Sequence, residues 1–334
     1  MGFWQSSMEG LEIMKVLIFG ATGFVGGNVT RHFLENNEEV HVCLRGDSYN
    51  WRIKDLMGNL IIHQGDLSSK CDIESIISSV KPDVVINCSG KVSGFGVDDQ
   101  EEVIQKNFVN TVNLANTCVR MNVEQLINTG SAYECGFSNN PVIGSDCSKQ
   151  PIGLYGITKK AEREYIDMIA QKFEKKYITV RLFTPFGFFD SPIRLIPYVI
   201  LSLLHNDIPL IKNPYSGRDF IYMNDVSKIY YALSRKSDAI EIGNVINAGT
   251  GKMTKVTDIV KYLFSLAGVK CTESTFDKRG STEFLYADQK YTSSVLSELK
   301  LKFTPQKEAL RRTFKWFSQN KSSYKFPINE GGLS

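Results

Sequence analysis

Short runs of β-branched and apolar residues alternate along the chain with longer amphipathic segments, the pattern of a parallel sheet covered by helices. Strands are expected over 15–19, 39–44, 60–63, 84–87, 125–128, 179–182 and 244–247. These runs are near-continuously apolar rather than alternating, as befits strands buried on both faces. Between them the spacing predicts helices near 25–35, 72–80, 101–121 and 155–175. After Phe183 the alternation loosens and turn formers cluster (Pro185, Gly187, Pro192, Pro197, Pro209, Pro214, Gly217), which marks a boundary. Helices are expected again over 256–267 and 306–320, the latter carrying Leu310, Phe314 and Phe317 on one packing face. The pattern predicts an α/β protein: a doubly wound parallel sheet with a smaller C-terminal α/β lobe. Residues 13–183 with about 221–250 would form the first lobe, and 184–220 with 251–325 the second. Residues 1–12 read as a loose extension, with Met14 an alternative start.

A length of 334 residues suits two such lobes. Lys plus Arg number 39 and Asp plus Glu 36, a net +3 with no basic block, so nucleic acid is not expected as a partner. Apolar residues make up 42% and charged residues 22%, ordinary globular usage. The longest apolar stretch, 193–204, is broken by Arg194, Pro197 and Ser202 and is too short for a bilayer, so no membrane partner is expected and the cytoplasm is the expected location. The seven cysteines are scattered, with no Cys-x-x-Cys pair, which fits a reducing compartment better than a disulfide scaffold. The four histidines lack ligand-like spacing, so no metal site is expected.

The segment VLIFGATGFVGG sets Gly20, Gly23 and Gly26 after an apolar strand and at the opening of a helix. Glycines placed so allow a tight turn, close approach of backbone to a pyrophosphate, and close helix-to-strand packing, with the helix N-terminus facing the anion. Phe24 and Val25 belong to the same cofactor-binding turn. The sheet is therefore expected to be Rossmann-type, with a nicotinamide dinucleotide as ligand. The end of the second strand in such folds carries an acid for the adenosine ribose, or an Arg that accommodates a 2′-phosphate. In VHVCLRGDS that place, 19 residues after Gly26, holds Arg45, with Asp47 two residues on. A cation matches a phosphate, so NADP(H) is favoured. NAD(H) is the alternative should Asp47 turn in.

Tyr155 and Lys159 in LYGITKKAERE are four residues apart on a helix and project from one face. A phenol ionises near pH 10 in water, and an ammonium one turn away favours its phenolate. Thr129 in QLINTGSAYECG lies 26 residues earlier at the C-terminal end of an apolar strand, where open α/β sheets bind ligands. Its hydroxyl is expected to bond both Tyr155 and a substrate oxygen, with Ser131 as the second choice. Cys135 has no histidine near it in sequence and reads as a bystander.

With these strings in place the chain resembles the extended short-chain dehydrogenases/reductases of the NAD(P)-dependent nucleotide-sugar epimerase and dehydratase family, over nearly all of residues 15–320. The strings that carry the resemblance are GATGFVG, GDL, KNFVNT, NTGSAY, YGITK, RLFTPFG, RDFIYMNDV and NAGTG. RLFTPFG followed by DSPIRLIPYVI is similar to the CDP-abequose synthase type of 4-ketoreductase.

The resemblance implies that Thr129, Tyr155 and Lys159 are catalytic, that Tyr155 and Lys159 also hold the cofactor, that Asp66 and Leu67 contact adenine, and that Asn107 supports the active-site region. It makes the second lobe a nucleotide-sugar lobe. Arg218 is then expected on the sugar-nucleotide diphosphate, with Arg279 as a second cation. Lys91, Ser93 and Phe95 are expected to line the sugar pocket, with Ser131 as a further substrate contact. Thr184 stands where many relatives carry Asn. Dehydratases of the family carry an Asp-Glu pair after their threonine, and Gly130 and Ser131 cannot replace it. The expected reaction is thus NADP(H)-dependent reduction of a 4-keto group on a CDP- or dTDP-linked deoxysugar. The alternatives are a 4-epimerase with tightly bound NAD, and a cofactor-binding scaffold that has lost turnover. Relatives often pair through the Tyr/Lys helix and its neighbour, so a homodimer is expected.

Overall fold

The computed structural model describes residues 12–324 apart from positions 47, 49, 93–96, 143, 145, 146, 148, 237–244 and 278. Residues 15–182 supply strands β1 (Lys15–Phe19), β2 (Glu39–Leu44), β3 (Ile61–Gln64), β4 (Val84–Asn87), β5 (Gln125–Ser131) and β6 (Lys176–Leu182). Short strands follow: β7 (Thr184–Phe186), β8 (Gly217–Arg218), β9 (Phe220–Tyr222), β10 (Val245–Ala248), β11 (Thr254–Lys255) and β12 (Phe284–Leu285). The helices are α1 (Phe24–Glu35), α2 (Lys70–Val80), α3 (Val97–Ile104), α4 (Asn110–Arg120), α5 (Gly153–Phe173), α6 (Leu195–Leu204), α7 (Met223–Arg235), α8 (Val256–Ala267), α9 (Gln289–Glu298) and α10 (Gln306–Asn320).

Seven strands form one parallel sheet in the order β10-β6-β5-β4-β1-β2-β3. Chain direction across the sheet reverses between β1 and β4, and a crevice opens there at the strands' carboxyl ends. Alternate residues serve opposite faces. Val16 and Ile18 join Val29, Phe33, Val226 and Ile229 on the side of α1 and α7, while Leu17 and Phe19 join Ile73, Leu114 and Ile166 on the side of α2, α4 and α5. Both faces are buried, which is why the strands read as unbroken apolar runs. The exception is β3, which is an edge strand: Ile61 is 44% exposed. Asn244, expected in the last strand, lies outside the described residues.

The helix expected over 101–121 is interrupted. α3 ends at Ile104 and a π turn over Gln105–Val109 precedes α4. One extra residue per turn rotates Asn107 inward to full burial. The C-terminal part has its own core, where Ile196, Val199 and Leu203 of α6 meet Val260 and Leu263 of α8. Leu310 and Phe317 of α10 are buried in it and Phe314 packs against it, so the aromatic stripe is packing. Among the described residues no helix is long and apolar enough to cross a membrane.

The α1–α7 packing carries a titratable group. His32 sits edge-on to Tyr231 at 5.7 Å, and burial together with the charge of Lys228 pushes its imidazole down from 6.5 to about 4. The unfolded chain therefore takes up the proton first as pH falls, and stability present above pH 6.5 is lost on the way to pH 4. Urea midpoints measured from pH 7 to 4 should decline through that window, and His32→Gln should remove up to about 3 kcal/mol of the decline.

Candidate active site

The chain leaves β1 through Gly20, whose φ is +81° and where a Cβ would lie 2.5 Å from the Cys88 backbone. At Gly26 a Cβ would fall 2.2 Å from the Gly20 carbonyl oxygen. Neither place admits a side chain, so the turn passes β4 and returns α1 against β1. Gly23 differs: a Cβ there would meet only the Gly20 oxygen, at 3.3 Å. Gly23 caps α1 with no side-chain hydrogen bond, and the helix's first turn, opened by half-buried Phe24 and Val25, holds no acidic residue. An uncapped positive helix end beside open space fits a pyrophosphate.

Arg45 stands exposed just past β2, its backbone N–H on Ser48 Oγ at 3.0 Å. Asp66 follows β3. Burial works to raise its carboxyl, but hydrogen bonds from Ser68 and the charges of Arg45 and Lys106 hold it below the usual value. Arg45 and Asp66 thus share one end of the sheet. Leu67 points its side chain into the core and accepts a hydrogen bond on its carbonyl from Asn113 at 3.3 Å. Asp47, the alternative acid, lies outside the described residues.

On α5, Lys159 Nζ lies 6.0 Å from the centroid of the Tyr155 ring. Lys159 is only 3% exposed, and its ammonium donates to the Thr129 carbonyl at 3.1 Å and to Glu162 Oε2 at 3.0 Å. Burial works to lower its pKa, but the charges of Glu162 and Tyr155 hold it above the ordinary lysine value. Gly90 forms the wall opposite: a Cβ there would sit 3.1 Å from Asn107 Oδ1 and 3.4 Å from Lys159 Nζ. Asn107 Oδ1 accepts the Lys91 N–H at 2.7 Å, and its amide nitrogen donates to the Lys91 carbonyl and the Thr158 hydroxyl, both at 3.0 Å. It fastens the loop after β4 to α5.

The geometry separates the two candidate hydroxyls. Thr129 Oγ1 is 2.7 Å from the buried Tyr230 hydroxyl and 3.4 Å from Cys88 Sγ, so it faces α7 rather than Tyr155. Ser131 accepts the Tyr133 N–H at 3.3 Å. Tyr133 in turn takes the Ile152 N–H on its carbonyl at 2.8 Å and sets its ring edge-on to Tyr155 at 6.1 Å. A Cβ at Gly156 would come within 2.5 Å of the Tyr133 carbonyl oxygen, so this close approach needs glycine. The end of β5 is thereby clamped to the first turn of α5, with Ser131 at the mouth. A second departure concerns sulfur: Cys135 and Cys147 are joined as a disulfide, next to the place where Ile152 donates to the Tyr133 carbonyl.

Arg218 and Thr184 line a cavity of ≈ 190 Å³ with Leu195, Tyr198, Lys212, Asn213 and Ser216. The Arg218 guanidinium donates to Glu283 Oε2 at 2.9 Å and to the Glu283 carbonyl at 2.7 Å, and lies over the Phe137 ring at 4.7 Å. Its neighbour Asp219 does not pair with it. That buried carboxylate accepts from Thr250 N (2.7 Å), Thr250 Oγ1 (2.6 Å) and Gly251 N (2.9 Å). Arg279 is not brought to the cavity: its side chain is 90% exposed and grips Asp277. Lys91 pairs with Glu102. Ser93 and Phe95 lie outside the described residues.

The model of the NAD dependent epimerase/dehydratase family matches residues 16–249. The chain belongs to the NAD dependent epimerase/dehydratase family. The UDP-glucose 4-epimerase of Pisum sativum is 25% identical, over 93% of this chain and 97% of that enzyme. Among solved structures, UDP-glucose 4-epimerase of Thermotoga maritima with UDP-glucose gives a TM-score of 0.80 at 22% identity, covering 92% of this chain and 100% of that one. The dTDP-glucose 4,6-dehydratase of Bacillus anthracis in complex with NAD gives 0.81 at 17% identity, covering 93% and 98%. These two likenesses show the fold.

Within the family frame, sequence reasoning missed Glu162 and the cavity walls Tyr198, Lys212 and Asn213. Glu162 had a legible signal, an acid three residues after Lys159 on the same helix face. Lys212 and Asn213 sit in irregular chain with no motif. For Thr129 the structure generates a stability prediction. Thr129→Val leaves the Tyr230 hydroxyl without its oxygen partner and should cost about 1–3 kcal/mol in urea unfolding.

Proposed function

We propose that this chain is a nucleotide-sugar 4-epimerase of its family, with NAD(P) as the working cofactor. The observation that carries the reading is the Tyr155–Lys159 pair at the carboxyl end of β5, flanked by an uncapped helix terminus on one side and the Arg218 cavity on the other. The full-length similarity to 4-epimerases supports it. Hydride exchange with the sugar's C4 is the chemistry a bound nicotinamide supplies there. The backbone N–H groups at the start of α1 hold the pyrophosphate, and Lys159 holds the nicotinamide ribose. Tyr155 moves the proton on the sugar's O4. Ser131, rather than Thr129, hydrogen-bonds that oxygen, and Arg218 binds the diphosphate in place of part of its contact with Glu283.

Elimination of water has no acid to serve it. Ser131 is followed by Ala132 and Tyr133, and Glu134 is fully buried in ion pairs with Arg181 and Arg163. A second reading, net reduction of a nucleotide-linked 4-keto-deoxysugar with NADPH, is favoured by one observation, the exposed Arg45 where an acid would repel a 2′-phosphate. A homodimer is part of the proposal. Ile157 and Met168, eleven residues apart on one face of α5, are exposed and would be covered by a second copy.

Incubation with UDP-glucose, and separately with CDP- and dTDP-linked 4-keto-6-deoxysugars plus NADPH, tests both readings. Interconversion of sugars without net change in nicotinamide absorbance supports the epimerase. Stoichiometric NADPH loss replaces it with the reductase. Ser131→Ala should lower kcat by about 10²-fold or more while leaving the melting temperature within a few degrees, consistent with loss of a group that acts on the reacting oxygen. Arg45→Asp should weaken NADPH by at least about tenfold while leaving NADH nearly unchanged, read by fluorescence titration. Equal loss for both dinucleotides would refute the role given to Arg45.

A further inference from the structure

Beneath the Tyr155–Lys159 pair lies a polar floor that the proposed reaction does not use directly. Glu162 is 0% exposed on the inward face of α5. A carboxylate placed there is costly unless something requires its charge. Its Oε2 takes Lys159 Nζ at 3.0 Å and the Thr111 hydroxyl at 3.4 Å, while Oε1 has no hydrogen-bond partner. Burial holds its carboxyl above the usual value, against the opposing pull of the Lys159 ammonium and of Asn128 beside it on β5. The Asn128 Oδ1 is fixed by the Asn87 amide at 2.8 Å, and Asn87 also reaches Thr111 at 3.2 Å.

We propose that Glu162 is the positioning residue of the site: it anchors the Lys159 ammonium and keeps it charged, so that Lys159 can hold the ribose and act on Tyr155. This rests on the reading of Tyr155 and Lys159 as the working pair. An ammonium has three donors. Two are spent on the Thr129 carbonyl and Glu162, which aims the third into the space bounded by Gly90 and the Tyr155 ring. The charge argument has the same direction. Burial alone drives Lys159 toward its neutral form, and Glu162 is the foremost group opposing that. The other groups that face the pair are Tyr155 on α5, Glu134 after β5, and Cys88 and Tyr230 across the sheet end. Glu134 is already held by Arg181 and Arg163, and burial pushes Cys88 up to about 11 and Tyr230 well above its usual range. Tyr155 and Glu134 add to the counter-charge, both behind Glu162.

The test is the pH dependence, from 6 to 10, of NADH and NADPH binding and of turnover in wild type, Glu162→Gln and Glu162→Asp. Glu162→Gln should lose binding and turnover at least about one pH unit below the wild type, because Lys159 then deprotonates earlier. Its KM for the sugar nucleotide at pH 6.5 should stay within about threefold. Glu162→Asp should restore most of the alkaline limb. Superimposable pH profiles for wild type and Glu162→Gln would overturn the proposal and reduce Glu162 to packing. Should Glu162→Gln fail to fold, the Lys159→Met background decides: there the Gln substitution should no longer be damaging, and equal damage with and without Lys159 overturns the coupling. Wild type that binds a dinucleotide yet converts no nucleotide sugar would sink the functional reading alone, since the binding profiles still test Glu162. No binding of either dinucleotide would sink both.

Discussion

A buried ammonium is the constraint around which this site is arranged. Lys159 is removed from water, so every direction around it must be filled by a partner or by deliberate space. The Thr129 carbonyl at the end of β5, the Glu162 carboxylate one turn along α5, and the missing side chain of Gly90 meet that demand. The surrounding elements take their positions from it. The π turn that swings Asn107 inward ties the loop of Gly90 and Lys91 to α5 through Thr158, and the close approach of Gly156 to Tyr133 fixes β5 on the same helix.

The cofactor half and the chemical half of the crevice share backbone rather than merely adjoining. Gly20 of the phosphate turn lies against the Cys88 backbone, Cys88 touches the Thr129 hydroxyl, and Thr129 offers its carbonyl to Lys159. A strand order that reverses between β1 and β4 forces this neighbourhood, because the ends of β1, β4 and β5 are adjacent. Thr129 is therefore the hinge between the two halves: its hydroxyl is fixed by Tyr230 on one face while its carbonyl serves the ammonium. On the proposed reading, that division of one residue's polar groups leaves Ser131, two residues on, as the hydroxyl for a substrate.

The sheet was legible because each strand feeds two cores, so Val16 and Leu17 are equally apolar though they face opposite ways. Tyr155, Lys159 and the three glycines were legible because their spacing along one helix or turn is itself the geometry. What failed to read is decided by partners far along the chain. Thr129 and Ser131 have the same parity on one strand, and it is the contact of Thr129 with Tyr230, 101 residues away, that makes their surroundings differ. Arg218 was expected on a diphosphate, and the carboxylate that pairs with it, Glu283, lies 65 residues on. The π turn left no trace in a continuous amphipathic pattern over 101–121, and the Cys135–Cys147 bond depends on a returning loop that spacing does not predict.

Arg45 separates two questions that sequence reasoning had joined, the cofactor's identity and the reaction. A carboxylate at the end of β2 repels a 2′-phosphate, but a guanidinium does not repel a 2′-hydroxyl, so the discrimination is one-sided. Asp66, whose carboxyl Arg45 helps hold below its usual range, gives that guanidinium a counter-charge at the same end of the sheet whether or not a phosphate is present. On that argument an arginine at this place would admit NADP without excluding NAD. What distinguishes epimerisation from net reduction is whether the nicotinamide stays bound through a full cycle. On the proposed reading, that depends on the grip of the α1 terminus and of Lys159, and through Lys159 on the buried carboxylate of Glu162.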